Sequence, residues 1–280
     1  MNSGIKNAGI IFLILLSVIL LMTHLVVKEY VIAAKSPRSG ESQRVTVPSE
    51  KKKQKPQTPK VPKTSQKPQP KKEVKKQDKP LPKEIHLIEP FVSQKPELPN
   101  GCEISSLAML LRSAGISADK MVLADQMPKV PFSSGGYNGN PNEGFVGNMY
   151  HGSKDNPGLA VYHRPVANLA RQYLGNRVED LTGSSWSEIE KQIVAGRPVW
   201  VITSINFQPV PESQWVNWHT RQGNIRISFM EHSVLVTGYG QKFVYFNNPL
   251  SDEGNSRADK SDFISAWKQF GSQAITYGPK

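Results

Sequence analysis

Apolar and polar positions along the chain fall into three regimes. Between residues 8 and 27, AGIIFLILLSVILLMTHLVV is apolar apart from Ser17, Thr23 and His24, and about 20 residues of helix rising about 1.5 Å each cross a hydrocarbon layer of about 30 Å. A secretory signal peptide is normally shorter and ends in a small-x-small cleavage site. Here the nearest such run, VIAAKS at 31–36, has a lysine beside it, so the segment reads as an uncleaved signal-anchor. Residues 36–83 carry nine of the 22 prolines, 13 lysines and no Phe, Trp or Tyr. Proline removes backbone donors, like charges repel and nothing apolar offsets the entropy of folding, so 28–83 is expected to be an extended, disordered linker.

Periodicity returns after Lys83. HLIEPFVSQ (86–94) reads as a short strand. In 101–114, Ile104, Leu107, Ala108, Leu110 and Leu111 recur at helical spacing, with Gly115 as the stop. A second helix is expected at 117–127, and SSGGYNGNPNEGFVGN (133–148) reads as a long surface loop, either the wall of a cleft or a plain connection. Pro165 opens a helix through Leu174, VEDL (178–181) is a short strand, and 184–196 is a helix capped by Ser184 or Ser185. Then β-branched and aromatic residues dominate 198–204, 225–230, 232–240 and 242–249, followed by a helix at 260–271 and a last strand, AITYG. Helices early and strands late predict an α+β domain over 84–280, a helical layer packed on a mostly antiparallel sheet.

Charge sharpens this division. The chain holds 35 Lys and Arg against 23 Asp and Glu, a formal charge of +12, yet residues 84–280 hold 17 basic and 18 acidic side chains. A nucleic-acid-binding domain needs a basic surface to meet phosphates, so nucleic acid is not an expected partner. The basic excess belongs to the linker, which is either a tether that also adheres to anionic wall polymer or lipid headgroups, or a solvated spacer kept extended by its charge. Charges flank the apolar segment on both sides: Lys6 before it, and Lys28, Lys35, Arg38 and Arg44 after it. Charge bias alone does not orient the segment. No cofactor or metal is expected: there is one cysteine, no H-E-x-x-H, and no G-x-x-x-x-G-K-[ST].

That cysteine, Cys102, stands where the first helix begins. Backbone N–H groups and the positive end of the helix dipole there favour a thiolate, although a lone cysteine also serves as a small buried side chain. A nucleophilic cysteine needs a base. His24 and His86 lie in the apolar segment and the first strand, and His151, His163 and His219 lie in or beside loops. His232 opens the strand EHSVLVTGYG, where it is either a base or a satisfied structural residue. Asn247 and Asn248 end the next strand, where an amide could hold the imidazole across the hairpin or simply form a turn. The order Cys, His, Asn, with separations of 130 and 146 residues, is that of papain-like enzymes.

On FVSQKPELPNGCEISSLAMLLRSAG (91–115), GNPNEGFVGN (139–148), GRPVWV (196–201), EHSVLVTGYG (231–240) and VYFNNPL (244–250), the chain resembles bacterial papain-like cysteine peptidases related to bacteriocin double-glycine leader peptidases. The resemblance covers 88–277. It implies a papain-like fold, with Cys102 as nucleophile, His232 as general base and acid, Asn248 as the orienting residue and Gln94 assisting the oxyanion. It also implies an extracytoplasmic domain, placing 1–7 in the cytoplasm and a single-pass anchor at 8–27 in the cell membrane. Two positions depart from the pattern: many relatives carry Asp where Asn248 stands, and Gln94 lies eight residues before Cys102, a wider gap than in papain-like enzymes generally. Leader processing does not carry over, since those peptidases are fused to ATP-driven transporters. The expected partner is a peptide or protein substrate. The alternatives are a non-catalytic surface module binding wall polymer or peptide in the same cleft, and an amide or acyl transferase. Trp215, Trp218 and His219 either line a specificity pocket or pack the core of a long loop.

Overall fold

A computed structural model describes residues 80–280; the apolar segment 8–27 and the linker up to residue 79 lie outside the described residues. In chain order the domain comprises β1 (Ile85–His86), α1 (Cys102–Ser113), α2 (Lys120–Gln126), β2 (Lys129–Val130), β3 (Ser133–Ser134), β4 (Tyr137–Asn138) and β5 (Phe145–Val146). There follow α3 (His163–Leu174), β6 (Val178–Asp180), α4 (Trp186–Val194), β7 (Val199–Ser204), β8 (Val216–Thr220), β9 (Gly223–Ile227) and β10 (Glu231–Tyr239). The chain closes with β11 (Phe243–Asn247), β12 (Ser256–Asp259), α5 (Lys260–Gln269) and β13 (Ala274–Tyr277).

The main sheet runs β12-β11-β10-β7-β13-β6, with β1 also on β10, and every pairing in it is antiparallel. Both of its faces are buried, and strand alternation decides which residue serves which core. Trp200, Ile202, Leu235 and Ile275 pack with α1, α2 and α3 on one side. Val199, Val201, Val234, Val236 and Phe246 pack with α4 and α5 on the other. The fold is thus the expected papain-like α+β arrangement, with the cysteine helix laid on an antiparallel sheet. A smaller sheet, β3-β4-β8-β9, stands apart around Val146, Trp218 and Ile227.

Several elements differ from the sequence reading, each for a local reason. The strand expected over 86–94 shrinks to two residues, because past His86 only the Leu87 N–H still bonds to β10. Asp119 accepts from the Met121 and Val122 N–H groups, so α2 starts at Lys120. The helix expected from Pro165 starts at His163 and holds Pro165 in its first turn, where a missing N–H leaves no intrahelical bond unmade. Ser185 precedes α4 without a side-chain cap, its hydroxyl turning to Ser187 instead. The supposed loop 133–148 contains three short strands, and Phe145 and Val146 are fully buried, pairing in parallel with Lys129 and Val130. Trp218 sits in the small core with its indole N–H on the Gly139 carbonyl and Trp215 packs on Phe270, so both are packing residues, while His219 is exposed and stacks on Tyr137.

Gly147, just past β5, sits at φ +81°, and a Cβ there would lie 2.1 Å from the Pro157 carbonyl oxygen. Gly147→Ala is therefore expected to destabilise the domain by about 1–3 kcal/mol from backbone strain alone, with the clash adding to it. Urea unfolding of the variant checks this; an unchanged midpoint would refute it.

Candidate active site

The site is built where two neighbouring strands part. β10 and β11 pair from Leu235 opposite Asn247 onwards, so β10 extends past the end of β11. The start of α1 occupies the vacated edge. The Ser106 hydroxyl donates to the Ser233 carbonyl (3.1 Å), and the Ser233 N–H points at the Cys102 sulfur. A backbone that would have bonded to a strand thus bonds to a helix N-terminus, which sets Cys102 one residue from His232. Trp200 of β7 holds the same end of the helix from the sheet face, its indole N–H donating to the Glu103 carbonyl (3.0 Å).

His232, the second residue of β10, bonds through Nε2 to the Asn248 Oδ1 (2.8 Å), and that oxygen also accepts from the Leu250 N–H (3.1 Å). The Phe207 ring lies 6.1 Å from the imidazole, centroid to centroid. The hairpin therefore brings His232 and Asn248 together as expected. Gln94 reaches the same corner: its N–H donates to the Pro249 carbonyl (2.9 Å) and its Nε2 to the Pro99 carbonyl (2.7 Å), while its Oε1 is buried without a partner. Asn100 braces the turn before the cysteine, its Nδ2 donating to the carbonyls of Asn148 (3.0 Å) and His151 (2.8 Å). Of the other described histidines, His163 pairs with Asp180 (2.6 Å), His219 with Asn224 (2.7 Å), and His86 stacks on Tyr245.

Of the two readings of Cys102, a thiolate favoured by the helix start and a buried small side chain, the burial is what the structure shows. The helix N-terminus was to favour a Cys102 thiolate, but burial pushes the thiol well up, and the charges of Glu103 and Glu231 push in the same direction against the single Ser233 N–H. A helix terminus contributes about 0.3–1 kcal/mol at typical sites, whereas full burial shifts a group by up to about 3–5 pK units, so desolvation prevails. Burial likewise lowers the His232 pKa to about 4, with the Asn248 bond opposing it. No hydrogen bond joins Cys102 to His232 among the described residues; the thiol donates to the Glu103 Oε2 (3.3 Å).

Glu103 and Glu231 are the residues the sequence reading missed. Glu103 is fully buried, and its Oε1 accepts from the Val161 N–H (2.7 Å). Burial lifts its carboxyl to about 7 against the pull of these donors. Glu231 is pushed well above the usual carboxyl range by burial and by Glu103, and its Oε1 has no partner. The signal was present as a charged residue inside each of two apolar runs, directly after the cysteine and directly before the histidine. Ligand atoms of Cys102, Glu103 and Glu231 lie within 4.8 Å of one another.

Over residues 87–275, which take in every group described above, the sequence matches the Peptidase_C39 like family. The chain belongs to that family. A crystal structure from Bacillus anthracis that carries the designation C39-like peptidase superposes with a TM-score of 0.66 at 46 % identity, covering 68 % of this chain and 94 % of that one. The uncharacterized protein YvpB of Bacillus subtilis (strain 168) is 50 % identical over 181 residues, 64 % of this chain and 70 % of YvpB. The C39-like domain thus accounts for the cysteine peptidase type of fold.

Proposed function

We propose that the C39-like domain is a cysteine peptidase. The observation that supports this most is the 2.8 Å bond between His232 Nε2 and Asn248 Oδ1 beside the Cys102 helix terminus. It leaves Nδ1 as the ring nitrogen available to the nucleophile. In the substrate complex the thiol proton passes to Nδ1 and the sulfur attacks the amide carbonyl carbon. The oxyanion is met by the Cys102 backbone N–H, one of the donors a helix start leaves without an intrahelical partner, and by the second N–H of the Gln94 amide. The imidazolium then protonates the leaving amine, and a thioester remains. Water attacks it, giving its proton to His232, and release of the acid restores the thiol.

The chain is further proposed to be anchored in the cell membrane by residues 8–27, with the domain held outside on its basic linker. This reading draws on the sequence, because no helix among the described residues is long and apolar enough to cross a membrane. A second reading, a non-catalytic module that binds peptide or wall polymer in the same cleft, is favoured by one observation: Cys102 and His232 are only 7 % and 2 % exposed. Hydrolysis separates the two. The full chain in detergent is expected to cleave members of a pool of casein peptides and wall stem peptides, read by mass spectrometry. Cys102→Ala should abolish cleavage, and His232→Ala should reduce it by about 10²–10⁴-fold, the usual contribution of a general acid–base group. Equal cleavage by the wild type and Cys102→Ala, or none by either, would sink the peptidase reading.

A further inference from the structure

The mechanism above makes no use of Glu103, although its carboxylate is the group to which the nucleophile is hydrogen-bonded. The Glu103 Oε1 is fixed by the Val161 N–H at 2.7 Å, which turns Oε2 toward the Cys102 sulfur at 3.3 Å. The contact has room for one proton between sulfur and oxygen. The titratable groups that face Glu103 are Cys102 on its own helix, Glu231 from β10 and Tyr162 ahead of α3. None of these is a cation, and none of the ion pairs among the described residues reaches either carboxyl. Any negative charge placed on the sulfur is therefore opposed by its neighbours, with only the Ser233 N–H donating to it.

We propose that Glu103 is a positioning residue that holds the Cys102 proton on the sulfur. The resting site then contains a neutral thiol and a neutral imidazole, and no thiolate–imidazolium pair. The proton reaches the His232 Nδ1 only in the substrate complex, a step that rests on the peptidase reading. Glu103 sets the pH at which the nucleophile can form in the absence of substrate. The directions of the thiol and carboxyl shifts agree with this: Cys102 is pushed well up, while Glu103 stands at about 7. With Oε1 committed to the Val161 N–H, Oε2 is the acceptor left for the proton on the sulfur.

Glu103→Gln tests the assignment, because the amide oxygen can still accept from Val161 while its N–H replaces an acceptor with a donor to the sulfur. Iodoacetamide labelling rates of the full chain, followed from pH 5 to 10, are expected to be at least about tenfold higher in the variant at a given pH below both midpoints, which places its midpoint at least about one unit lower. An unchanged or higher midpoint would overturn the proposal. Loss of a purely structural contact would lower the melting temperature without moving the labelling midpoint downward. If Glu103→Gln does not fold, the wild type decides the matter. The infrared difference spectrum against Cys102→Ser at pH 8 should contain a hydrogen-bonded S–H stretching band, and its absence would refute a retained proton. Labelling does not require peptide cleavage, so failure of the hydrolysis experiment and failure of this one are distinguishable.

Discussion

Trp200→Ala is expected to destabilise the domain by about 3–5 kcal/mol, the usual range for removing a fully buried large aromatic side chain. Trp200 is completely buried and lies between Leu235 and Ile275 on neighbouring strands. It fills the layer between the sheet and the three helices α1, α2 and α3, and no neighbouring backbone can collapse into that space without moving the sheet. Since domains are typically stable by about 5–15 kcal/mol, the variant should fold only marginally. Trp200→Phe separates packing from anchoring: it retains most of the apolar contact and loses the bond to the Glu103 carbonyl, an expected cost of about 1 kcal/mol. Urea unfolding checks both. A loss below about 1.5 kcal/mol for the alanine variant would mean that the helix layer is held elsewhere.

The second large effect is electrostatic. Asn248→Asp keeps both acceptor contacts, to His232 and to the Leu250 N–H, and adds a negative charge 2.8 Å from the ring. A carboxylate that close raises an imidazole pKa by about 1–3 units, so the value should climb from about 4 into the range 5–7. A folded-state pKa below the unfolded value of about 6.5 contributes stability that is complete above that pH and is lost as the pH falls through 4. For the wild type this loss is on the order of 3 kcal/mol. The variant should lose much less over the same interval. Glu89 and Glu103, each raised to about 7 by burial, act oppositely: their contribution is present below about 4.3 and is lost as the pH rises through 7. They act the same way in both proteins and cancel in the difference between the two stability curves, which reports His232 together with the introduced carboxylate. Nitrogen-15 titration of the imidazole reads its pKa directly, and equal values in the two proteins would refute the argument.

Much of this architecture was legible in the chain because it rests on period and composition. The α1 stripe and the alternation in β7 and β10 are local patterns, and the Cys-His-Asn order was read from its long separations and from the family resemblance. The failures share a different cause. β8 and the strands within 133–148 are short, rich in Gly, Asn and polar residues, and stabilised by partners far away in sequence, such as Gly139 for Trp218. The desolvation of Cys102 went unweighed because a helix terminus is visible in sequence and burial is not. Burial of Glu103 and Glu231 depends on how α1, β10 and the chain before α3 converge, and no local pattern encodes that convergence.

The edge of β10 on which α1 rests is supplied by residues more than a hundred positions downstream, as the Ser106 bond to Ser233 shows, with a separation of 127 residues. During synthesis the cysteine is therefore made long before the strand that shelters it. Until that strand is made, neither His232 nor the Ser233 backbone that covers Cys102 is present beside it. Cys102, the strand that covers it and His232 therefore come together only after β10 has been made.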